Sequence, residues 1–317
     1  MTPFTMPKFP VVKESLHTEL RKRVQQYFDE NNISATGNMS LFTKAIVLVA
    51  SFVAVYVHLI FFTPHWYFAI PECFLLGGLI AAIGFNVMHD GSHGSFSQHK
   101  WKNKLAATSL SMLGANHFLW NMKHNMIHHS FTNVDGVDDD INNMPFLRQC
   151  SSQPLKPMHR FQSAYMFVLY GFTSLFMFFM DYIKYFSRKV YTTPMKFTNF
   201  REHLMFWVGK IFFIVVYIIV PIILIGWKWW LVGFLISQFT LGLTLAMVFQ
   251  LAHVVEHAEF DVAGVDPVKI ENEWAIHQVK TTANFAFSNK LVTWFVGGLN
   301  YQIEHHLFPR ISHIHYP

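Results

Sequence analysis

Tyr67–His93 reads YFAIPECFLLGGLIAAIGFNVMHDGSH, a long apolar run that ends on two histidines four residues apart. About 20 such residues cross the roughly 30 Å hydrocarbon core of a bilayer, so the run predicts a membrane-spanning helix over Tyr67–Met88 with His89 and His93 at its exit. Pro71, Gly77, Gly78 and Gly84 fit this reading, because membrane helices tolerate them and small residues let helices approach closely. Upstream, Leu41–Phe62 is a second apolar span, separated only by the turn Thr63-Pro64-His65-Trp66. So tight a turn makes the pair an antiparallel hairpin and returns His89 and His93 to the side of the N-terminus. Leu204–Ile225 and Trp229–Leu251 repeat the plan across Gly226-Trp227-Lys228, with His253 and His257 just beyond the exit.

Composition supports the same class. Hydrophobic residues make up 52% of the 317 residues, charged residues 14%, and Phe alone accounts for 34, which argues against a soluble fold. The net charge of +5 does not point to nucleic acid, because the basic residues flank apolar spans instead of forming a stripe interleaved with aromatics. A bilayer surface explains them. On the two-hairpin topology the far-side turns hold Lys228 alone out of 24 Lys plus Arg, which places the histidines and both termini in the cytoplasm. Trp66, Trp227, Trp229 and Trp230 mark the far interface. With only Cys73 and Cys150 there is no disulfide framework, and residues 1–38 are too polar for a cleavable signal peptide.

Residues 1–40 form a cytoplasmic amphipathic segment whose Leu16, Leu20, Val24 and Phe28 share one helix face. That helix either lies on the bilayer or docks on the protein's own extramembrane body. Tyr165–Phe179 is apolar too, but a fifth crossing would strand the later histidines, so an interfacial or partly immersed helix is expected there. The predicted fold is an all-α integral membrane protein: two transmembrane hairpins, four spans, and a cytoplasmic helical cap holding a histidine-rich dimetal site.

Nine histidines carry that site: His89 and His93; His124, His128 and His129; His253 and His257; His305 and His306. Histidines four apart on a helix form a two-point clamp for metal. On an α-helix His124 and His128 share a face while His129 points about 140° away, so the triplet reaches two metals, and a helical Gln302, His305 and His306 does likewise. Eight or nine imidazoles exceed what one ion with an open position can use. Ligating imidazoles must be neutral, so binding weakens in acid. The other ten histidines read as hydrogen-bonded structural residues. Asp135–Asp140 reads as a solvated acidic loop, with a lesser role open to one carboxylate in orienting a ligand histidine from behind. Imidazole suits zinc, copper, iron and nickel alike. The absence of Cys at ligand spacing and the apolar setting favour iron and oxygen chemistry on an aliphatic chain.

His89-Asp90-Gly91-Ser92-His93, His124-Asn125-Met126-Ile127-His128-His129 and Gln302-Ile303-Glu304-His305-His306 resemble the three histidine boxes of the membrane fatty acid desaturases, and Asn300-Tyr301 and Leu307-Phe308-Pro309 extend the match. Gln302 opening the third box is similar to the front-end acyl desaturases. The resemblance covers about Leu41 to the end. It implies two iron ions that activate O2 and place a double bond in an acyl-CoA or acyl-lipid. It also implies His89, His93, His124, His128, His129, His305 and His306 as ligands, His253 as a further ligand, and Gln302 as a weaker one. His257 is a candidate from spacing alone. Many front-end relatives carry a fused cytochrome b5 domain with a His-Pro-Gly-Gly motif; this chain has no such motif, which implies an external donor, ferredoxin or cytochrome b5 with its reductase. The chain ends 11 residues after His306, where relatives continue into another helix, so residues 41–317 read as a C-terminally truncated desaturase domain.

Three other readings compete. A fatty acyl hydroxylase shares the boxes and differs in its product. A haem-binding electron carrier needs histidines facing each other within the spans, and a metal transporter needs polar groups near the midplane. For the desaturase, a flexible chain must be fixed near the metals, which predicts an apolar tunnel between the hairpins lined by residues such as Phe85, Met88, Trp120 and Phe249.

Overall fold

The computed structural model describes residues 6–141, 145–197, 199–263 and 270–317. Among the described residues four helices are long and apolar enough to cross a membrane, or five if the bent pair Pro157–Gly171 and Thr173–Ser187 counts as one span: the four are α2 (Met39–Phe62), α3 (Trp66–His93), α8 (Phe200–Ile225) and α9 (Trp227–His253). Ahead of them lies α1 (Leu16–Glu30), and between α3 and α8 lie α4 (Lys100–Met112), α5 (His117–Asn121), α6 (Gln162–Gly171) and α7 (Thr173–Ser187). Three short helices follow α9: α10 (Trp274–Thr281), α11 (Lys290–Phe295) and α12 (Gln302–Leu307). Among the described residues strand structure is limited to two-residue pairs, of which Val134–Asp135 beside Asp261–Val262 ties the loop after the second histidine box to the loop after α9.

Local chemistry sets the span ends. The Asn38 side chain caps α2 by accepting from the Ser40 and Leu41 backbone N–H groups. α2 ends at Thr63 in the left-handed region (φ 44°), two residues before α3 begins after His65. Gly226 (φ 81°) alone separates α8 from α9, a conformation glycine adopts without steric cost. At the other end, the Gly37 backbone N–H donates to the Ser95 carbonyl at 2.9 Å, so α2 begins where α3 has just finished.

The core lies where α3, α8 and α9 meet. Leu76, Ile80, Phe85, Phe213, Tyr217 and Leu241 form one buried cluster, closed from the side of α11 by Val296 and Leu299. α2 faces outward: only 17% of its most apolar window is buried, and Ile46, Val53 and Phe61 lie exposed, as lipid-facing residues should. α3 and α9 pack closely through Gly77, whose added Cβ would stand 2.4 Å from the Ser237 carbonyl oxygen.

Two sequence expectations are refined. The segment expected as one interfacial helix over Tyr165–Phe179 is instead α6 and α7, bent by 69° at Phe172. Gly171, beside the bend, lies so close to α9 that a Cβ would strike the Phe239 ring. The amphipathic N-terminal helix docks on the protein's own body: the Leu16 N–H donates to Glu273 Oε1 at 2.8 Å, and Phe28 packs edge-on against His315.

The Gly77 contact is testable against its neighbour, since a Cβ at Gly78 would meet nothing within 4 Å. Gly77→Ala is expected to cost about 1–3 kcal/mol by forcing α3 from α9, and Gly78→Ala to be neutral or slightly stabilising. Thermal unfolding in detergent measures both; equal effects would contradict this packing.

Candidate metal centre

Two helix ends with a wide π-helical winding carry the first histidines, His89 and His93 on an α-helical turn just after it and His124 and His128 within it. α3 turns π-helical over Gly84–Met88 just before His89, and α5 continues into a π-helical turn over Met122–His128. In such a turn positions five apart are bonded: the His129 N–H donates to the His124 carbonyl at 3.0 Å. The α-helical expectation for this triplet is thereby corrected. His129 does not point away from His124; their Nε2 atoms stand 3.2 Å apart, and His128 turns toward a different set of histidines.

Two sets result. His89, His93, His124 and His305 form one, and His128, His253 and His306 the other, with ring nitrogens in each set within 4.8 Å of one another. His129 completes a further group with His305 and His306, so it stands between the sets. Adjacent positions on α12 point in different directions, which is how His305 joins one set and His306 the other. Gly297 (φ 61°) and Gly298 (φ 67°) bring the chain to α12, packed so closely on the Phe85 backbone and on His313 that side chains there would collide.

Hydrogen bonds select which imidazole nitrogen faces inward. His128 Nδ1 donates to Asp138 Oδ2 at 2.9 Å. The Tyr316 hydroxyl donates to the Ile311 carbonyl at 3.0 Å and stands 3.2 Å from His305 Nδ1, so it accepts from that nitrogen. His253 Nδ1 faces the Thr281 carbonyl at 3.4 Å, which can only accept. With Nδ1 engaged outside, the Nε2 lone pair is left inside. The Nε2 atoms of His93, His128, His305 and His306 are buried without a protein partner, and those of His89 and His124 face each other at 3.3 Å. A buried nitrogen without a partner costs about 1–3 kcal/mol, and lone pairs at such range repel unless a proton or a cation lies between them. The donor set fits metal.

Its electrostatics fit too. Burial, reinforced by neighbouring imidazoles, pushes His124, His129, His305 and His306 well below the ordinary imidazole range, so they stay neutral and able to ligate. His128 differs: burial pulls it down, but the carboxylates of Asp138 and Asp140 outweigh that and raise it. The acidic loop is therefore not simply solvated, as its sequence suggested: Asp138 is fully buried and orients the His128 ring.

The remaining candidates divide. Gln302 is buried with its side-chain Nε2 3.0 Å from His253 Nε2, inside the second set's reach. His257 is exposed and joins neither set, because α9 ends at His253 and spacing by four then has no helical meaning. Trp120 stacks on His124 with ring centroids 4.3 Å apart, and Phe249 lies 4.8 Å from His253 and 5.3 Å from His128. Phe85 and Met88 are buried between the histidines and the span core. None of these four lines the cavity of about 520 Å³ that lies between Tyr56, Leu59, Ile80, Tyr217, Trp230 and Phe234 toward the other end of the spans. Neighbouring rings such as His129 and His306 (4.4 Å) or His128 and His253 (4.6 Å) stand closer together than two imidazoles on opposite faces of a haem would.

Sequence reasoning missed the outer support. Gln278 Oε1 lies 2.7 Å from His306 Nδ1, and the Trp274 Nε1–H donates to the His129 carbonyl at 3.1 Å. His277 spans the Thr132 carbonyl (2.9 Å) and Asp261 (3.1 Å), while Asp90 meets Ser312 (2.7 Å) and His313 (3.0 Å). Gln278 and Trp274 stand on a helix with no motif of its own, and only proximity in space reveals them.

Metal retention should follow these protonation states. The depressed histidines mean that the unfolded chain binds more protons than the folded one below about pH 6.5, so stability and metal affinity fall together as pH drops through that value. His128 runs the opposite way and is outnumbered by the depressed rings. At pH 7, His128→Ala or His305→Ala should weaken metal affinity by at least about tenfold, and His257→Ala should leave it unchanged. Chelator competition measures all three; wild-type affinity in the first two would refute the assignment.

Comparison with known proteins gives the family. Residues 64–317 match the family model described as fatty acid desaturase. Among relatives, an sn-1 linoleoyl-lipid 6-desaturase of Arthrospira platensis is 35% identical over 302 residues, covering 94% of this chain and 81% of its own. A protein of the same description from Synechocystis sp. is 32% identical over 314 residues, covering 96% and 86%. An acyl-lipid (8-3)-desaturase of Physcomitrium patens is 31% identical over 309 residues, covering 96% of this chain and 64% of its own. This chain belongs to the fatty acid desaturase family and is an oxidoreductase of the desaturase class.

Proposed function

We propose that the protein is an oxygen-dependent front-end acyl-lipid desaturase with a di-iron centre. One observation carries the reading: buried imidazoles whose free Nε2 lone pairs converge in two sets at the ends of apolar spans. His89, His93, His124 and His305 would hold one iron, His128, His253 and His306 the other, with His129 between them and Gln302 beside His253. When bound, iron would supply oxygen activation and removal of hydrogen from an unactivated methylene. The relatives are described as linoleoyl-lipid and acyl-lipid desaturases, which favours a lipid-linked acyl chain over a CoA thioester.

The chain's own residues do the positioning. Trp120 and Phe249, set against the ligand rings, offer apolar walls where a methylene must be held. Phe85 packs with Leu76, Ile80 and Tyr217, and those three also line the cavity between the spans, an apolar space that the methyl end of an acyl chain held at the histidines would enter. Each buried CH₂ contributes about 0.8 kcal/mol without any polar partner. The spans form two hairpins with the histidine ends and both termini cytoplasmic, as the scarcity of basic residues in the opposite turns supports. α7 is held near the second box, since Lys184 and Lys123 both pair with Asp139.

Electrons come from a separate ferredoxin or cytochrome b5 with its reductase. The protein expressed in a host whose lipids contain linoleoyl chains is expected to add one double bond on the carboxyl side of the existing ones, read by mass spectrometry of the lipids. In purified form, NADH and substrate alone should give no product until a donor protein is added. A hydroxylated product would assign the protein to the hydroxylases instead, and turnover on NADH alone would contradict the external donor.

A further inference from the structure

Behind His306 stands a residue with no part in any histidine motif. Gln278 on α10 is fully buried, with Oε1 2.7 Å from His306 Nδ1 and 2.9 Å from Thr132 Oγ1. The same Thr132 hydroxyl lies 2.7 Å from the carbonyl oxygen of His128, a histidine of the same set as His306, and 3.2 Å from His306 Nδ1. Its one proton goes to either that carbonyl or Gln278 Oε1, and Gln278 Oε1 is the nearer of two oxygens beside His306 Nδ1. Unlike Asp138 behind His128 or the Thr281 carbonyl behind His253, a carboxamide has two faces. With Oε1 inward, it accepts from His306 Nδ1–H and leaves the Nε2 lone pair free. Turned over, its NH₂ would donate to Nδ1, the ring proton would move to Nε2, and the ligating atom would be blocked.

We propose that Gln278 is a positioning residue that holds His306 in its ligating tautomer, and so secures the metal of the His128–His253–His306 set without touching the metal of the other. Three observations make this selective. The set containing His89, His93, His124 and His305 makes none of the hydrogen bonds formed by the Gln278 side chain. His305 has its own partner in Tyr316. Gln278 Nε2 is buried with no partner, so Oε1 carries the side-chain contacts of this residue. His277 next to it bonds the Thr132 carbonyl, which fixes α10 against the segment that carries the second box.

The inference rests on the dimetal reading of the site, and the test separates the two. Purified protein is loaded with Fe(II), challenged with graded chelator, and its metal counted per chain. Wild type should retain two ions per chain. Gln278→Met, close in shape but unable to accept, should lose one ion at ten- to hundredfold lower chelator concentration and keep the other. Gln278→Glu, whose carboxylate only accepts, should retain both. Gln278→Asn, which withdraws the acceptor by one methylene, serves if the Met variant does not fold, and should also lose one ion. Retention of both ions at wild-type affinity by Gln278→Met or Gln278→Asn would overturn the proposal. So would loss of both ions in Gln278→Glu, which would mark a purely structural residue. Wild type that binds no metal would overturn the dimetal reading itself.

Discussion

The structure depends on one constraint: imidazole nitrogens buried away from water with their lone pairs aimed at one another. Such atoms repel in the absence of a shared partner, and each lost partner costs as much as a sizeable fraction of a small domain's stability. The protein accepts that arrangement by engaging the opposite nitrogen of several rings, through Asp138, Tyr316, the Thr281 carbonyl and Gln278. Those bonds orient the rings but leave the inner nitrogens unsatisfied. A cation resolves both problems at once, which is why the geometry reads as a metal centre and not as a hydrogen-bonded core.

The rest of the fold can be understood as what brings distant pieces to that point. His89 and His93 end one long apolar helix and His253 ends another, so the close packing of α3 on α9 through Gly77 places two sets of ligands together. The second box arrives on a π-helical turn, where the wider winding lets three histidines serve two sets. The third box is delivered by two consecutive left-handed glycines and is locked from behind by the C-terminal Ser312–Tyr316 segment. Buried ion pairs act in the same sense: Asp181 with Lys210, and Lys123 and Lys184 with Asp139, connect α7 to the span and to the second box.

Much of this was legible in the sequence because the signals were local. A span of apolar residues ending in His-x-x-x-His needs no knowledge of the rest of the chain to be read, and the turns Thr63–Trp66 and Gly226–Lys228 fall where the helices break. What escaped was of two kinds. The winding of the second box depends on packing, so an α-helical count placed His129 opposite His124 when the two are neighbours. The outer supports Gln278, Trp274 and His277 carry no spacing signature, and they matter only because α10 folds back over the boxes. His257 shows the converse: it has the spacing of a ligand, and the helix that would make the spacing meaningful stops before it.

The account stands most directly on the count and place of the metals. Crystals of the iron-loaded protein, measured on both sides of the iron absorption edge, locate each ion by its anomalous signal. Two peaks are expected, one within bonding distance of His89, His93, His124 and His305 and the other of His128, His253 and His306, with His129 between. A single peak shared by all the rings, or iron bound elsewhere with these nitrogens bare, would contradict it.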